Sequence, residues 1–261
     1  MTRLTVRLLA GLVLSLAGFP RGQARPDAGR IPVLVELFTS EGCDSCPPAD
    51  RVLELVSKEQ PAEGVYVVGM SEHVTYFDYL GWKDPFGSPL FTDRQNMYAE
   101  RFKPAGAFTP QVVVDGTTQM VGSDTGQLRN ALAEAARLPK PRLTVGASLE
   151  DQNTLVASAS GPGLAAGAAE GAELLWAVTE DDLSVEVTRG ENAKRTLRHS
   201  GVVRTLIARQ IAPATASEAM GAVIRLDSRW KRDNLRLVAF VQSTQTRRVL
   251  SVGWARLNRA R

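Results

Sequence analysis

The 261-residue chain is poor in cysteine, histidine and aromatic residues: two Cys, two His, and Phe, Trp and Tyr together at 6%. Two cysteines cannot supply the disulfide framework that lets a small secreted domain dispense with a core. A core must come from the 44% of residues that are hydrophobic. Beyond the N-terminus no apolar run approaches the roughly 20 residues that a membrane-spanning helix needs, so no transmembrane segment is expected in the mature chain. No internal repeat is visible. A phosphate loop, a paired-histidine zinc helix and a serine elbow are all missing, which argues against nucleotide hydrolysis, zinc proteolysis and serine hydrolysis. The glycine-rich GPGLAAGAAEG, residues 161–171, lacks both the strand and the lysine of a phosphate loop and is expected to be a mobile loop. Neither a cofactor nor a metal centre is expected.

What is present begins with MTRLTVRLLAGLVLSLAGFPRGQARP. Arg3 and Arg7 form a basic start, Leu8 to Phe19 an apolar stretch, and Gly22-Gln23-Ala24 a small-residue cleavage site. This is a signal-peptide pattern over residues 1–24, cleaved near Ala24. It implies a periplasmic or extracellular protein in which disulfides persist. The formal charge of +3 includes Arg3, Arg7 and Arg21. Without those three cations the chain is neutral, so its basic pI is no argument for nucleic acid as a partner. Charge is nevertheless uneven. Residues 25–137 carry 10 Lys/Arg and 16 Asp/Glu; residues 189–261 carry 16 and 4. Such asymmetry suggests two domains.

The run IPVLVELF, residues 31–38, reads as a buried strand. Pro47 and Pro48 suit the first turn of a helix, continued by ADRVLELVSK with apolar residues at helical spacing. VYVVGM, residues 65–70, is a second strand. A right-handed β–α–β crossover places the ends of both strands at one sheet edge, where ligands gather in open α/β sheets. A helix from Leu90 to Phe102, a strand at Val112 to Val114, a turn at Asp115-Gly116, a returning strand and a last helix from Gln127 to Arg137 complete the order βαβαββα over residues 31–138. From 139 to 261 short strands with turns between them predict an all-β, sandwich-like domain.

Both cysteines lie in ELFTSEGCDSCPPAD, residues 36–50, as Cys43 and Cys46. Closing so short a loop removes about 2 kcal/mol of unfolded-state entropy, against about 4.7 for a loop of about 100 residues. A purely structural staple is therefore disfavoured. In the redox reading, Cys43 is exposed just before the helix and faces its free N–H groups, which favours the attacking thiolate. Cys46, one turn on, resolves the mixed disulfide. Asp44 opposes ionisation, so a modest oxidant is expected.

The strand–CxxC–helix pattern, the βαββα continuation and Thr109-Pro110 before the third strand resemble the thioredoxin fold. That resemblance implies a cis Pro110 against the CxxC, with the Thr109 backbone offered to substrate. The chain also resembles the DUF1223 family of exported bacterial proteins. The residues that carry this are 36-ELFTSEGCDSCPPAD-50, 73-HVTYFDYLGWKDPF-86, 109-TPQVVVDG-116 and 189-RGENAKRTLRHSGVVR-204. Thr75 and Phe77 depart from that family's usual acid and Trp, so no role is carried over to them from those residues.

Five aromatics fall within residues 76–86. Tyr76, Phe77 and Trp82 are candidate walls for a peptide or small thiol; the alternative is a satellite core. His73 would shuttle protons for Cys46, bind metal beside the thiolates, or serve as a hydrogen-bonded loop residue. Glu36 would be a partly buried acid beneath the thiols that takes the Cys46 proton, or an edge-exposed or helix-capping carboxylate, whereas Glu41 and Asp50 read as surface residues. The leading expectation is a thiol–disulfide oxidoreductase acting on protein or small-molecule thiols and disulfides. The alternatives are a Cu(I)-binding protein using both thiolates with His73 or Met70, and a non-enzymatic envelope interaction module.

Overall fold

A computed structural model describes residues 29–103, 106–212 and 219–259. The expected signal peptide lies outside the described residues. The elements of the first half follow as β1 (Ile31–Thr39), α1 (Pro47–Glu59), β2 (Val65–His73), α2 (Pro89–Phe102), β3 (Gln111–Val114), β4 (Thr118–Val121) and α3 (Thr125–Ala135). β1 and β2 are parallel, from Ile31 beside Val65 to Thr39 beside His73. β3 runs antiparallel to β1, with Gln111 opposite Phe38. The ends of β1 and β2 and the start of β3 therefore meet at one edge.

β1 and β2 are buried on both faces, which is why their sequences are apolar without alternation. Val33, Val35, Leu37, Val65 and Val67 pack with Leu53 of α1 and Leu128 and Leu132 of α3. Leu34, Tyr66, Val68 and Met70 face the other way, in a core that includes Phe91 of α2.

The second half contributes β5 (Thr144–Asp151), β6 (Thr154–Ser160), α4 (Pro162–Ala169), β7 (Ala172–Glu180), β8 (Leu183–Val187), β9 (Arg195–His199), β10 (Val202–Gln210), β11 (Met220–Arg225), β12 (Leu235–Ser243), β13 (Val249–Arg256) and β14 (Asn258–Arg259). One mixed eight-stranded sheet, ordered β13-β12-β7-β10-β2-β1-β3-β4, runs through both halves. The join is β10 beside β2, with Val202 opposite Ser71. Residues 31–138 and 139–261 thus share a sheet rather than folding around separate ones. The four-stranded sheet β11-β6-β5-β14 forms a second layer. Its Val145, Leu155, Ala157 and Ile224 pack against Leu174, Trp176, Leu237 and Ala239. The sheet also curls, so that Val249 at the start of β13 donates to the Asp115 carbonyl at the end of β3 (2.9 Å).

The expected 161–171 loop is instead helix α4. Pro162 suits its first turn, and Leu164 and Gly167 bury it against the sheet. A Cβ at Gly167 would lie 2.5 Å from Val241 Cγ1, so glycine there permits the close packing. Among the described residues no helix is long and apolar enough to cross a membrane.

Candidate functional site

The loop after β1 carries Cys43 and Cys46, joined as a disulfide. Two expectations fail here. Cys43 is 2% exposed and Cys46 0%, so neither sulfur lies open to solvent. The helix amides also do not serve Cys43. Cys46 is the N-cap, and Pro47 and Pro48 fill the first helical positions without N–H groups. The next two amides, of Ala49 and Asp50, both donate to the Cys46 carbonyl at 2.9 and 3.1 Å. The polar neighbours of Cys43 Sγ are two hydroxyls: Ser45 Oγ at 3.4 Å and Thr109 Oγ1 at 3.5 Å. The Thr109–Pro110 peptide is cis. Gly122 N–H donates to the Pro110 carbonyl at 2.9 Å, tying this turn to the end of β4.

Beneath the loop lies a buried polar cluster in which Glu41 and Asp50, expected at the surface, are both buried. His199 Nε2 is 3.2 Å from Glu41 Oε1, and its Nδ1 is 3.8 Å from Asp50 Oδ1. Burial opposes a charge on His199, but Asp50 and Glu41 outweigh it and raise the imidazole to about 10. His199 is therefore protonated at neutral pH. Thr39 Oγ1 donates to Asp50 Oδ2 (3.3 Å). Trp82 Nε1 donates to Glu41 Oε2 (2.7 Å).

His73 ends β2 on the α1 side of the sheet. Its Nδ1 lies 2.8 Å from Asp84 Oδ2, and its ring meets the His199 ring edge-on at 4.9 Å. Phe86 packs edge-on against both imidazoles. Burial would raise the Asp84 carboxyl, but His73 and the amides of Glu41 and Phe86 hold it below the ordinary carboxylate value. His73 is thus engaged by Asp84, Phe86 and His199, and is linked to the cysteine loop through Asp84, which accepts the Glu41 amide, and through His199.

Glu36 does not lie under the thiols. It projects to the opposite face of β1, where Arg94 Nε and Tyr98 Oη donate to it at 2.7 and 2.6 Å. Arg94 also donates to Gln242 Oε1 at 3.0 Å and lies 3.5 Å from Glu72. Burial drives Glu72 well above the carboxylate range, and Glu36 beside it adds to the rise. Met70 faces that same side, in the core with Phe91. Among the described residues no group of three or more His, Cys, Asp or Glu is arranged to hold a metal ion.

Of the three aromatics expected to hold substrate, Phe77 packs under the cysteine loop: a Cβ at Gly42 would lie 2.8 Å from Phe77 Cβ, so glycine is needed there. Trp82 is fixed by Glu41. Tyr76 stands at the rim, its hydroxyl donating to Gln95 Oε1 at 3.0 Å.

The second half closes the site. β8 and β9 form a separate hairpin. At its tip Asn192 Nδ2 donates to the carbonyls of Glu41 and Cys43, each at 2.9 Å. The Asp44 amide donates to Glu191 Oε2 at 3.1 Å. His199, Asn192 and Asp50 have the strongest structural claim to a role, yet none was singled out from the sequence. The one signal was their presence in the stretches that carry the family resemblance: Asp50 in 36-ELFTSEGCDSCPPAD-50, Asn192 and His199 in 189-RGENAKRTLRHSGVVR-204.

The family described as "Protein of unknown function (DUF1223)" matches residues 34–242. No curated protein matches the sequence significantly. Among solved structures, protein AGR_C_4864 from Agrobacterium tumefaciens is similar at 21% identity and a TM-score of 0.61, over 86% of this chain and 94% of that one. HBP35 of Porphyromonas gingivalis is similar at 15% identity and a TM-score of 0.60, over 87% and 76%. These likenesses establish a common mixed α/β fold.

Proposed function

Since the chain belongs to the DUF1223 family, a grouping by sequence rather than by reaction, we propose its chemistry from the site itself: an exported thiol–disulfide oxidoreductase on a thioredoxin-like scaffold, with Cys43 and Cys46 as its redox pair. The observation that carries this reading is the disulfide's setting. It lies against the Thr109 hydroxyl, in a loop whose Glu41 pairs with a buried imidazole that also faces Asp50 of the helix begun by Cys46. A staple would need none of these groups, and its short loop would add only about 2 kcal/mol. Export is supported by the N-terminal pattern of residues 1–24.

Cys43, the less buried of the two residues, is the one attacked. Cys46 leaves as a thiolate in a fully buried position, where burial disfavours the charge. A proton must therefore reach it as the S–S bond breaks. His199, protonated and held between Glu41 and Asp50, is the store we assign, reached through Asp50, which stands one helical turn beyond Cys46. Oxidation returns the proton by the same route. His199 and Asp50 thus take the roles expected of His73 and Glu36. Thr109 and Ser45 hydroxyls support the Cys43 thiolate in place of the helix amides.

Redox titration with thiol trapping tests the reading. Cys43 and Cys46 should interconvert reversibly as one two-electron couple, and Cys46→Ser should accumulate a mixed disulfide at Cys43. A pair that stays oxidised across the whole range of thiol buffers ends it.

A further inference from the structure

We propose that the 188–194 loop is a lid that restricts the disulfide to low-molecular-weight thiols, with Asn192 as the residue that sets this substrate class. The inference rests on the redox reading above and names its substrate.

The loop belongs to the β8–β9 hairpin, a two-stranded sheet that is not hydrogen-bonded into either larger sheet. It is turned by Gly190 at φ +74° and Lys194 at φ +69°. The Lys194 amide closes it on the Val187 carbonyl at 2.7 Å. Its grip on the cysteine loop consists of three hydrogen bonds. Both N–H groups of one side-chain amide, that of Asn192, hold the carbonyls on either side of Gly42, and the Glu191 carboxylate takes the Asp44 amide. Arg195 Nη1 donates to Asn192 Oδ1 at 2.8 Å and fixes which way that amide points. Trp82 backs the loop at Gly190, where a Cβ would lie 3.3 Å from Trp82 Cβ.

Exchange needs the incoming thiolate in line with the S–S bond. With Cys43 at 2% and Cys46 at 0% exposure, a thiol carried on a folded protein brings its own backbone against the lid, whereas a small thiol does not. The first small thiolate attacks Cys43 Sγ; the S–S bond breaks and Cys46 takes up a proton. A second thiolate attacks the small-molecule sulfur of the mixed disulfide. The Cys43 thiolate leaves and a small disulfide is released. Two thiols are oxidised and the pair gains two electrons; of the two protons shed in forming the attacking thiolates, one is matched by the proton taken up at Cys46 and the other stays in solvent while Cys43 remains a thiolate.

The test uses the oxidised full-length mature protein, with β-mercaptoethanol as the small thiol and a reduced thioredoxin as the protein dithiol. Rates are compared per thiolate by trapping. In the wild type the small thiol should be faster by about tenfold or more, and Asn192→Ala should raise the protein-to-small rate ratio about tenfold, as expected from losing two hydrogen bonds. Glu191→Gln, at an exposed position, should raise the ratio about threefold and serves should Asn192→Ala fail to fold. Equal or faster wild-type reduction by the protein dithiol overturns the lid alone. So does an unchanged ratio in a folded variant. If neither reagent reduces the disulfide, the redox reading falls, and the lid with it.

Discussion

The two faces of the β1–β2 pair each bury a cluster of ionisable side chains, and they use it differently. On the α2 face, Arg94 spends its donors on Glu36, Gln242 and Tyr98, and lies over the rings of Tyr98 and Phe240. On the α1 face, Asp50 Oδ1, His73 Nε2 and His199 Nδ1 are buried without a hydrogen-bond partner. Arg94 holds one element to another, with the Glu72 oxygens beside it also lacking a hydrogen-bond partner; the histidine cluster sets an imidazole between Glu41 of the cysteine loop and Asp50 of α1. Both clusters contain buried polar atoms without a partner, so counting partners does not separate them. What separates them is position: only the α1 cluster lies in and under the loop that carries the disulfide.

Four measurements would break or sharpen that contrast. The largest effect is expected on the α2 face. Arg94→Met leaves Glu36 buried and uncompensated and should cost about 3–5 kcal/mol in denaturant unfolding, while the folded fraction keeps its redox potential. A changed potential would mean that the two faces are not separate. On the α1 face, His199→Gln should cost less, about 1–3 kcal/mol, but should slow reduction of the disulfide and alter its pH profile. Normal kinetics would remove the proton store from the mechanism.

The third measurement concerns pH. The folded value of His199, about 10, lies above its ordinary 6.5. Its contribution to stability is thus complete below about pH 6.5 and is lost as pH rises through about 10. Unfolding free energy should decline over that window in the wild type, and the decline should shrink in His199→Gln. The smallest effect is expected from Thr109→Val, which removes one hydroxyl from Cys43. It should slow thiol attack by several-fold, the equivalent of about 1 kcal/mol, and leave stability nearly unchanged.

The order of the first seven elements was legible because each has its own period and its own stop signal. Cys43 and Cys46 were legible from local loop pattern; the cis Thr109–Pro110 peptide, which meets Cys43 across 66 residues, was legible only through the resemblance to the thioredoxin fold. Glu36 was misplaced for a definite reason. IPVLVELFT is apolar on both faces, so nothing in it marks which residues look toward α1. The prolines that strip amides from the helix start were in plain view, and their missing N–H groups should have lowered the expectation of a polarised Cys43. His199 and Asn192 were out of reach: a contact across 158 or 149 residues leaves no trace in local pattern. The pairing of β10 with β2 is likewise fixed by edge availability and packing rather than by any local motif.

That pairing has a consequence for the order in which the protein matures. Val202, which opens β10 beside Ser71, comes three residues after His199, so the same docking event that extends the sheet delivers the imidazole, and the preceding hairpin, to the sulfurs. A nascent chain that has emerged only through α3 carries both thiols but not the groups that shelter and protonate them. On the redox reading proposed above, the arrangement around the sulfurs is thus completed late, when the C-terminal strands zip into place.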